Sequence, residues 1–207
     1  MYYYMVDDFS IFPNMTNIYD NYQQDFIDLV MKSPCLLKTL AIISQLHPKV
    51  YLSAGAVRNT VWSYLHGKTY DLTKSDMDVI YYNANECDDS YQKELQSDLK
   101  SKFPNQDWDV VNQALVHTWY RKDNGEKIQP LTSIEEALSL WSETATAIAI
   151  RFDTFGNLEI IAPFGLSDLF ELNLRWNSAL VSYQTFKNRV ESKNWLQQWP
   201  KLKIVNS

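Results

Sequence analysis

Two short stretches decide the reading of this chain: Ala54-Gly55-Ala56-Val57-Arg58-Asn59, and Asp76-Met77-Asp78-Val79-Ile80-Tyr81 some twenty residues later. Val50, Tyr51 and Leu52 are apolar and stop at small residues, so they read as the end of a buried strand entering a turn. Val57, Val61, Tyr64 and Leu65 then recur at helical spacing. In the second stretch, alternation along a strand sends Asp76 and Asp78 to one face and Met77 and Val79 to the other.

Two carboxylates sharing a face repel each other unless cations sit between them. An oxygen-only donor set suits Mg²⁺ (or Mn²⁺), which holds a few carboxylates together with waters and substrate phosphates. Paired metal ions can stabilise both the attacking and the leaving oxygen of an in-line displacement at phosphorus. A strand, a small-residue loop and a helix N-terminus also present backbone N–H groups to a phosphate. Gly55 allows close approach of that phosphate, Ala56 and Asn59 lie in the same turn, and Arg58 can add a charge-assisted contact to a triphosphate. The bland alternatives are solvated carboxylates at a strand end and a solvated helix arginine.

With Trp62, Leu65-His66-Gly67 and Ser75 added, these stretches resemble the head-domain signature of the DNA polymerase beta nucleotidyltransferase superfamily. Their style is that of the Gly-Gly-x-Val-Arg-Asp and Asp-x-Asp elements of tRNA nucleotidyltransferases. From about Tyr51 to Ile204 the chain is similar to a bacterial nucleotidyltransferase-like family of unknown substrate. Trp108 to Ala114 with His117, Thr144-Ala145-Thr146 with Ala149 and Arg151, Ala162 to Leu166 with Asp168, and Arg189, Lys193, Trp195, Trp199 and Pro200 carry that likeness.

The resemblance implies an α/β (α+β) polymerase-beta-like fold, a mixed sheet flanked by helices. It also implies metal-dependent transfer of a nucleoside monophosphate from an NTP to a hydroxyl, with release of pyrophosphate. A third carboxylate from a neighbouring strand is implied too, as metal ligand and base. Asp109, in the strand-like Trp108-Asp109-Val110-Val111-Asn112 after a helix from about Tyr91 to Phe103, is the candidate; Asp107, Asp153 and Glu159 are the alternatives. Three departures stand out. Gly55-Ala56 replaces the usual Gly-Ser or Gly-Gly, Asn59 stands where tRNA nucleotidyltransferases carry Asp, and the loop from Gly67 to Ser75 is longer.

The 207 residues suit one domain, in which residues 1–48 are a helical lead-in, 49–165 hold the sheet and site, and 166–207 are C-terminal helices. A hydrophobic fraction of 45% with only five glycines argues against a low-complexity or loop-dominated chain. The formal charge of −6, without a basic stripe, favours a small-molecule or protein acceptor over a long nucleic acid. Arg151, Arg175, Lys187, Arg189 and Lys193 remain as cations able to gather near the acidic pair.

Cys35 and Cys87 lack zinc-site spacing and fit a reducing cytoplasm, with one long-range disulfide as the alternative. Neither a secretory signal nor a membrane segment is expected. A non-catalytic nucleotide- or protein-binding module is the principal alternative function, and a modifier of small molecules of the antibiotic type is a third.

Local signals complete the expectations. His47-Pro48 closes a helical segment, and Ser133 caps a short helix with Glu136. Thr146 to Phe152 and Leu158 to Ile161 form a hairpin around Phe155-Gly156-Asn157. Ser167 starts a helix, and Phe186 to Trp199 forms the last one. His117 reads as a backbone-satisfied histidine or a substrate contact, His66 as a cap, Asn112 as a minor polar contact, and the tryptophans as core.

Overall fold

A computed structural model describes residues 22–47 and 49–205. The start of the lead-in, together with Pro48, lies outside the described residues. Helices α1 (Gln23–Met31) and α2 (Pro34–Leu46) lead into strand β1 (Tyr51–Ser53) and helix α3 (Ala54–Leu65). Then come β2 (Asp76–Tyr81), α4 (Ser90–Lys102), β3 (Asp107–Asn112), α5 (Val116–Trp119) and α6 (Ile134–Ser139). The hairpin β4 (Ala149–Phe152) and β5 (Leu158–Ile161) precedes α7 (Ser167–Phe170), β6 (Asn173–Arg175), α8 (Tyr183–Ser192), α9 (Trp195–Gln198) and β7 (Lys203–Val205).

The expected mixed sheet is present, in the order β3-β2-β1-β4-β5. Only β2 and β3 within it run parallel, and α4 supplies the crossover that a parallel pair requires. Alternation assigns the two faces. Met77, Val79, Tyr81, Trp108 and Val110 enter the main core with α2, α3 and α4, where Trp62 is fully buried. Burying an apolar side chain of that kind contributes about 2 kcal/mol. On the other face, Ile80 packs with Tyr51, Ile134 and Leu138 under α6. This cover stops short of the N-terminal ends of β2 and β3, which is where the carboxylates lie.

Several boundaries follow their local chemistry. Pro34 occupies the first turn of α2, where its missing N–H costs nothing. Ser133 Oγ accepts from Glu136 N at 3.0 Å, and the Glu136 carboxylate accepts from Thr132 N at 2.7 Å. His47 does more than end α2: it reaches α4 through Tyr91 Oη at 3.2 Å and Asp98 at 3.3 Å.

Three expectations require correction. Thr144–Thr146 is a short 3-10 turn, and the strand begins only at Ala149. The last helix is two helices, because Asn194 takes a left-handed φ of 51° between them. The C-terminal segment also contains the parallel pair β6–β7, whose three-residue strands are 30 positions apart in register, Asn173 opposite Lys203. Cys35 and Cys87 are free and exposed, so there is no disulfide between them.

Candidate functional site

The site begins where β1 enters α3 without an intervening loop. Ser53 is the last strand residue and Ala54 the first helical one, at a φ of 50°, so Gly55 sits in the first helical turn rather than in a loop. The exposed N–H groups expected there are partly spoken for. Ala54 N donates to Ile148 O at 3.2 Å, and Gly55 N donates to Asp78 Oδ2 at 3.4 Å. A Cβ added at Gly55 would stand 3.5 Å from Ser75 Oγ, 3.7 Å from Asp78 Oδ2 and 3.8 Å from Arg58 Nη2. Glycine thus keeps open the space between an acid and a base.

The parallel register between β2 and β3 sets the carboxylates side by side: Asp76 opposite Asp107, and Asp78 opposite Asp109. Of the four, Asp78 is the most enclosed. Burial pushes its carboxyl above the ordinary aspartate range; the Gly55 N–H and Arg58 oppose that shift, and Asp109 and Asp76 reinforce it. Asp76 makes an ion pair with Lys193 at 3.7 Å. Among the alternatives to Asp109, Asp107 is highly exposed and pairs with Lys100 at 3.6 Å, Asp153 binds the backbone of its own hairpin turn, and Glu159 binds Arg151 and Tyr51.

Arg58 turns inward. It is 4% exposed; its Nε and Nη2 donate to Asn59 Oδ1 at 3.0 and 2.8 Å, and its Nη1 donates to Thr146 Oγ1 at 2.9 Å. The guanidinium lies 4.8 Å from the Trp62 ring and 4.4 Å from the Trp195 ring, in the corner made by two indoles that meet at 79°. Burial lowers its pKa to about 10, against the pull of Glu143, so it stays charged at neutral pH. Asn59 spends its carbonyl on Arg58 and its amide N–H on Tyr70 Oη at 2.9 Å. The Ala56 side chain is buried in the main core, leaving only its backbone near the helix start.

These residues border a cavity of about 600 Å³, whose walls include Gly55, Arg58, Asp76, Asp78, Arg189 and Lys193. Arg189, in the last turn of α8, and Lys193, the residue that caps it, are four positions apart and both reach the cavity. Of the remaining cations, Arg151 and Arg175 pair with Glu159 and Asp168, and Lys187 lies over the Tyr183 ring.

Spacing in the sequence gave no sign of Glu143, although it too lines the cavity. This residue is fully buried, pairs with Arg189 at 3.0 Å, and leaves Oε2 without a hydrogen-bond partner. A second cavity of about 220 Å³ opens beside Asp78 and Asp109. His117 bonds to Ala114 O at 2.9 Å and His66 to Trp62 O at 2.6 Å, each satisfied by backbone. Asn112 is a buried hub that ties together Asn83, Glu86 and Ala114, a larger structural part than its strand position suggests.

Among the described residues, no three His, Cys, Asp or Glu side chains converge into a ready-made metal cluster. The carboxylates form an open row along two strands. Such an oxygen-only set fits a hard divalent cation that draws its other ligands from water and phosphate.

The fold that carries these residues has counterparts among known proteins. The chain belongs to a nucleotidyltransferase family, whose model matches residues 41–204. It is similar to a protein whose NMR structure reveals a CCA-adding enzyme head domain. That match has a TM-score of 0.73 and 26% identity, over 89% of this chain and 96% of that one. It is also similar in fold to the Thermotoga maritima CCA-adding enzyme complexed with tRNA, with a TM-score of 0.54, 17% identity and 86% of this chain covered. A CCA-adding enzyme in apo form II matches with a TM-score of 0.51, 17% identity and 86% coverage. The matched regions are 42% and 44% of these two enzymes, so this chain spans less than half the length of either. No curated protein matches the chain. Among the described residues, no helix is long and apolar enough to cross a membrane.

Proposed function

We propose that the chain is a metal-dependent nucleotidyltransferase that moves a nucleoside monophosphate from an NTP to a hydroxyl acceptor. The observation that carries this reading is the placement of Asp78 between Gly55 N at 3.4 Å and, in register on the next strand, Asp109, at the edge of a cavity bearing Arg189 and Lys193. Phosphate charge requires cations and N–H donors. Acceptor activation requires a carboxylate close by but outside the phosphate pocket. Asp109 lines the smaller cavity and not the larger one.

In this reading the triphosphate lies along Gly55, the backbone of Ala56, Arg189 and Lys193. Arg58, held rigid by Asn59 and Thr146, supplies a fixed positive field rather than a mobile contact. Asp76, Asp78 and Asp109 would hold Mg²⁺ or Mn²⁺, which supplies charge neutralisation at the transferring phosphoryl group. Asp109 takes the proton of the acceptor hydroxyl. The acceptor oxygen forms a bond to the α-phosphorus as the bond to the β-phosphate bridging oxygen breaks and pyrophosphate leaves. Lys193 releases Asp76 when the phosphates arrive, at little cost, because an exposed ion pair contributes about 0–1 kcal/mol. The fold match to an enzyme complexed with tRNA leaves the acceptor open, and the net charge of −6 supports a small molecule or a protein over a long nucleic acid.

Pyrophosphate release from each NTP, measured with Mg²⁺ and an acceptor mixture, tests the reading. Release by the wild type that disappears in Asp78→Asn and in Asp109→Asn supports it; release that persists unchanged in either variant overturns it.

A further inference from the structure

The two cavities share a wall. Asp78, Tyr120, Leu140, Trp141 and Leu180 line both, so occupants of the larger and the smaller space would meet at Asp78. Beyond that wall their chemistry differs. The larger cavity carries Arg58, Arg189 and Lys193, whereas among the described residues no Lys or Arg lines the smaller. Ile80, Val111, Trp119, Ile128 and Leu131 surround the smaller one, and Asp78 and Asp109 are its acidic members.

A triphosphate is excluded from a cation-free apolar space by the cost of desolvating its charge. The same space accepts an apolar body at a gain. At about 220 Å³ it is smaller than the roughly 300–1,000 Å³ usual for sites that take drug-sized ligands. Its occupant is therefore on the scale of one ring. Trp119, 60% exposed, leaves a large apolar side chain at the rim, where burial against a ligand would be favourable.

We infer that the smaller cavity is the acceptor subsite, and that the acceptor is a small molecule with a compact apolar, ring-sized body carrying the hydroxyl that Asp109 deprotonates. This inference rests on the nucleotidyl-transfer reading and names its substrate class. The hydroxyl oxygen bonds to the α-phosphorus, its proton passes to Asp109, and pyrophosphate carries away the electron pair of the broken bond. A polyol, a free sugar or an RNA terminus would bring more polar groups than the few polar side chains here, Gln113, Tyr120 and the two aspartates, can pair.

Benzyl alcohol and p-cresol serve as probes, with glycerol and ribose as polar controls. Saturation-transfer NMR reads binding, pyrophosphate release reads transfer, and calorimetric NTP titration reads the larger cavity separately. The expected result is saturation of the aromatic alcohols alone, and NTP- and Mg²⁺-dependent pyrophosphate release stimulated roughly tenfold or more over the polar controls. Leu131→Trp, which fills the cavity, should abolish both effects while NTP titrates as in the wild type.

Should Leu131→Trp fail to fold, Trp119→Ala at the exposed rim provides the second variant, with weakened aromatic saturation and unchanged NTP binding. Stimulation by glycerol or ribose equal to that by the aromatic alcohols overturns the inference, as does absent aromatic saturation in a wild type that binds NTP. Aromatic saturation in a wild type that binds no NTP overturns the nucleotide reading itself and removes the acceptor role with it.

Discussion

Asp109 lies directly beside Asp78 on the adjacent parallel strand, so two carboxylates separated by 31 positions in sequence face the same space. A parallel pair places equivalent residues on one face, and α4 is the connection that makes the pairing possible. The burial and crowding that result raise the Asp78 carboxyl above its ordinary range.

That shift has a direction in stability. The folded state holds the Asp78 proton more tightly than the unfolded chain does, so the stabilising contribution is complete below the unfolded aspartate pKa. It is lost as pH rises through the folded value. Without metal at neutral pH the charged group therefore costs stability. Asp78→Asn is expected to raise stability at neutral pH by about 1 kcal/mol, or about 2–4 °C in Tm, and to remove the fall in stability with rising pH that Asp78 contributes, while abolishing transfer. Thermal melts from pH 4 to pH 8 in chelator check this.

Gly55→Ala separates folding from binding. Its nearest new contacts would be 3.5 Å or longer and its backbone is helical, so the helix should gain up to about 1 kcal/mol. The added methyl group would occupy the space between Asp78 and Arg58, and NTP affinity should fall by about tenfold or more. Urea unfolding and calorimetry on the same sample read both effects.

Arg58→Lys tests whether this arginine acts as a fixed structural charge. A lysine cannot donate to Asn59 and Thr146 together, nor spread a delocalised charge against both Trp62 and Trp195. The expected loss is about 2–3 kcal/mol, seen as a lower urea midpoint at an unchanged slope. A midpoint equal to wild type would contradict that structural part.

Arg189 has two separable parts. Arg189→Ala leaves the buried Glu143 carboxylate without its partner and should cost about 2 kcal/mol as well as NTP affinity. Adding Glu143→Gln removes the orphaned charge, so the double variant should recover stability but not affinity. Denaturation and titration of the single and double variants form the cycle that checks this.

How much of this was legible follows from the range of each interaction. The Asp76 and Asp78 pair, the hairpin and the Ser133 cap depend on neighbours in sequence, and alternation or spacing displays them directly. Asp109 was reachable as a candidate because the resemblance implies a third carboxylate on a neighbouring strand and Trp108 to Asn112 reads as one, but its register against Asp78 is set by pairing across the crossover. The inward turn of Arg58 had no local sign, since Trp195 and Thr146 reach it from 137 and 88 positions away. Glu143 gave no signal either: a lone glutamate in Trp141-Ser142-Glu143-Thr144 reads as surface until Arg189 is brought to it. Strands β6 and β7 are too short for a period-2 pattern, and only their mutual pairing defines them.

The central claim is a metal-dependent nucleotide site built on Asp76 and Asp78. Calorimetric titration of the four NTPs with Mg²⁺ into the wild type and into the Asp76→Asn/Asp78→Asn double variant tests it most directly. Saturable binding of at least one NTP that requires Mg²⁺ and vanishes in the double variant is the expected result. Absence of binding in the wild type, or binding that survives in the double variant, would contradict the claim.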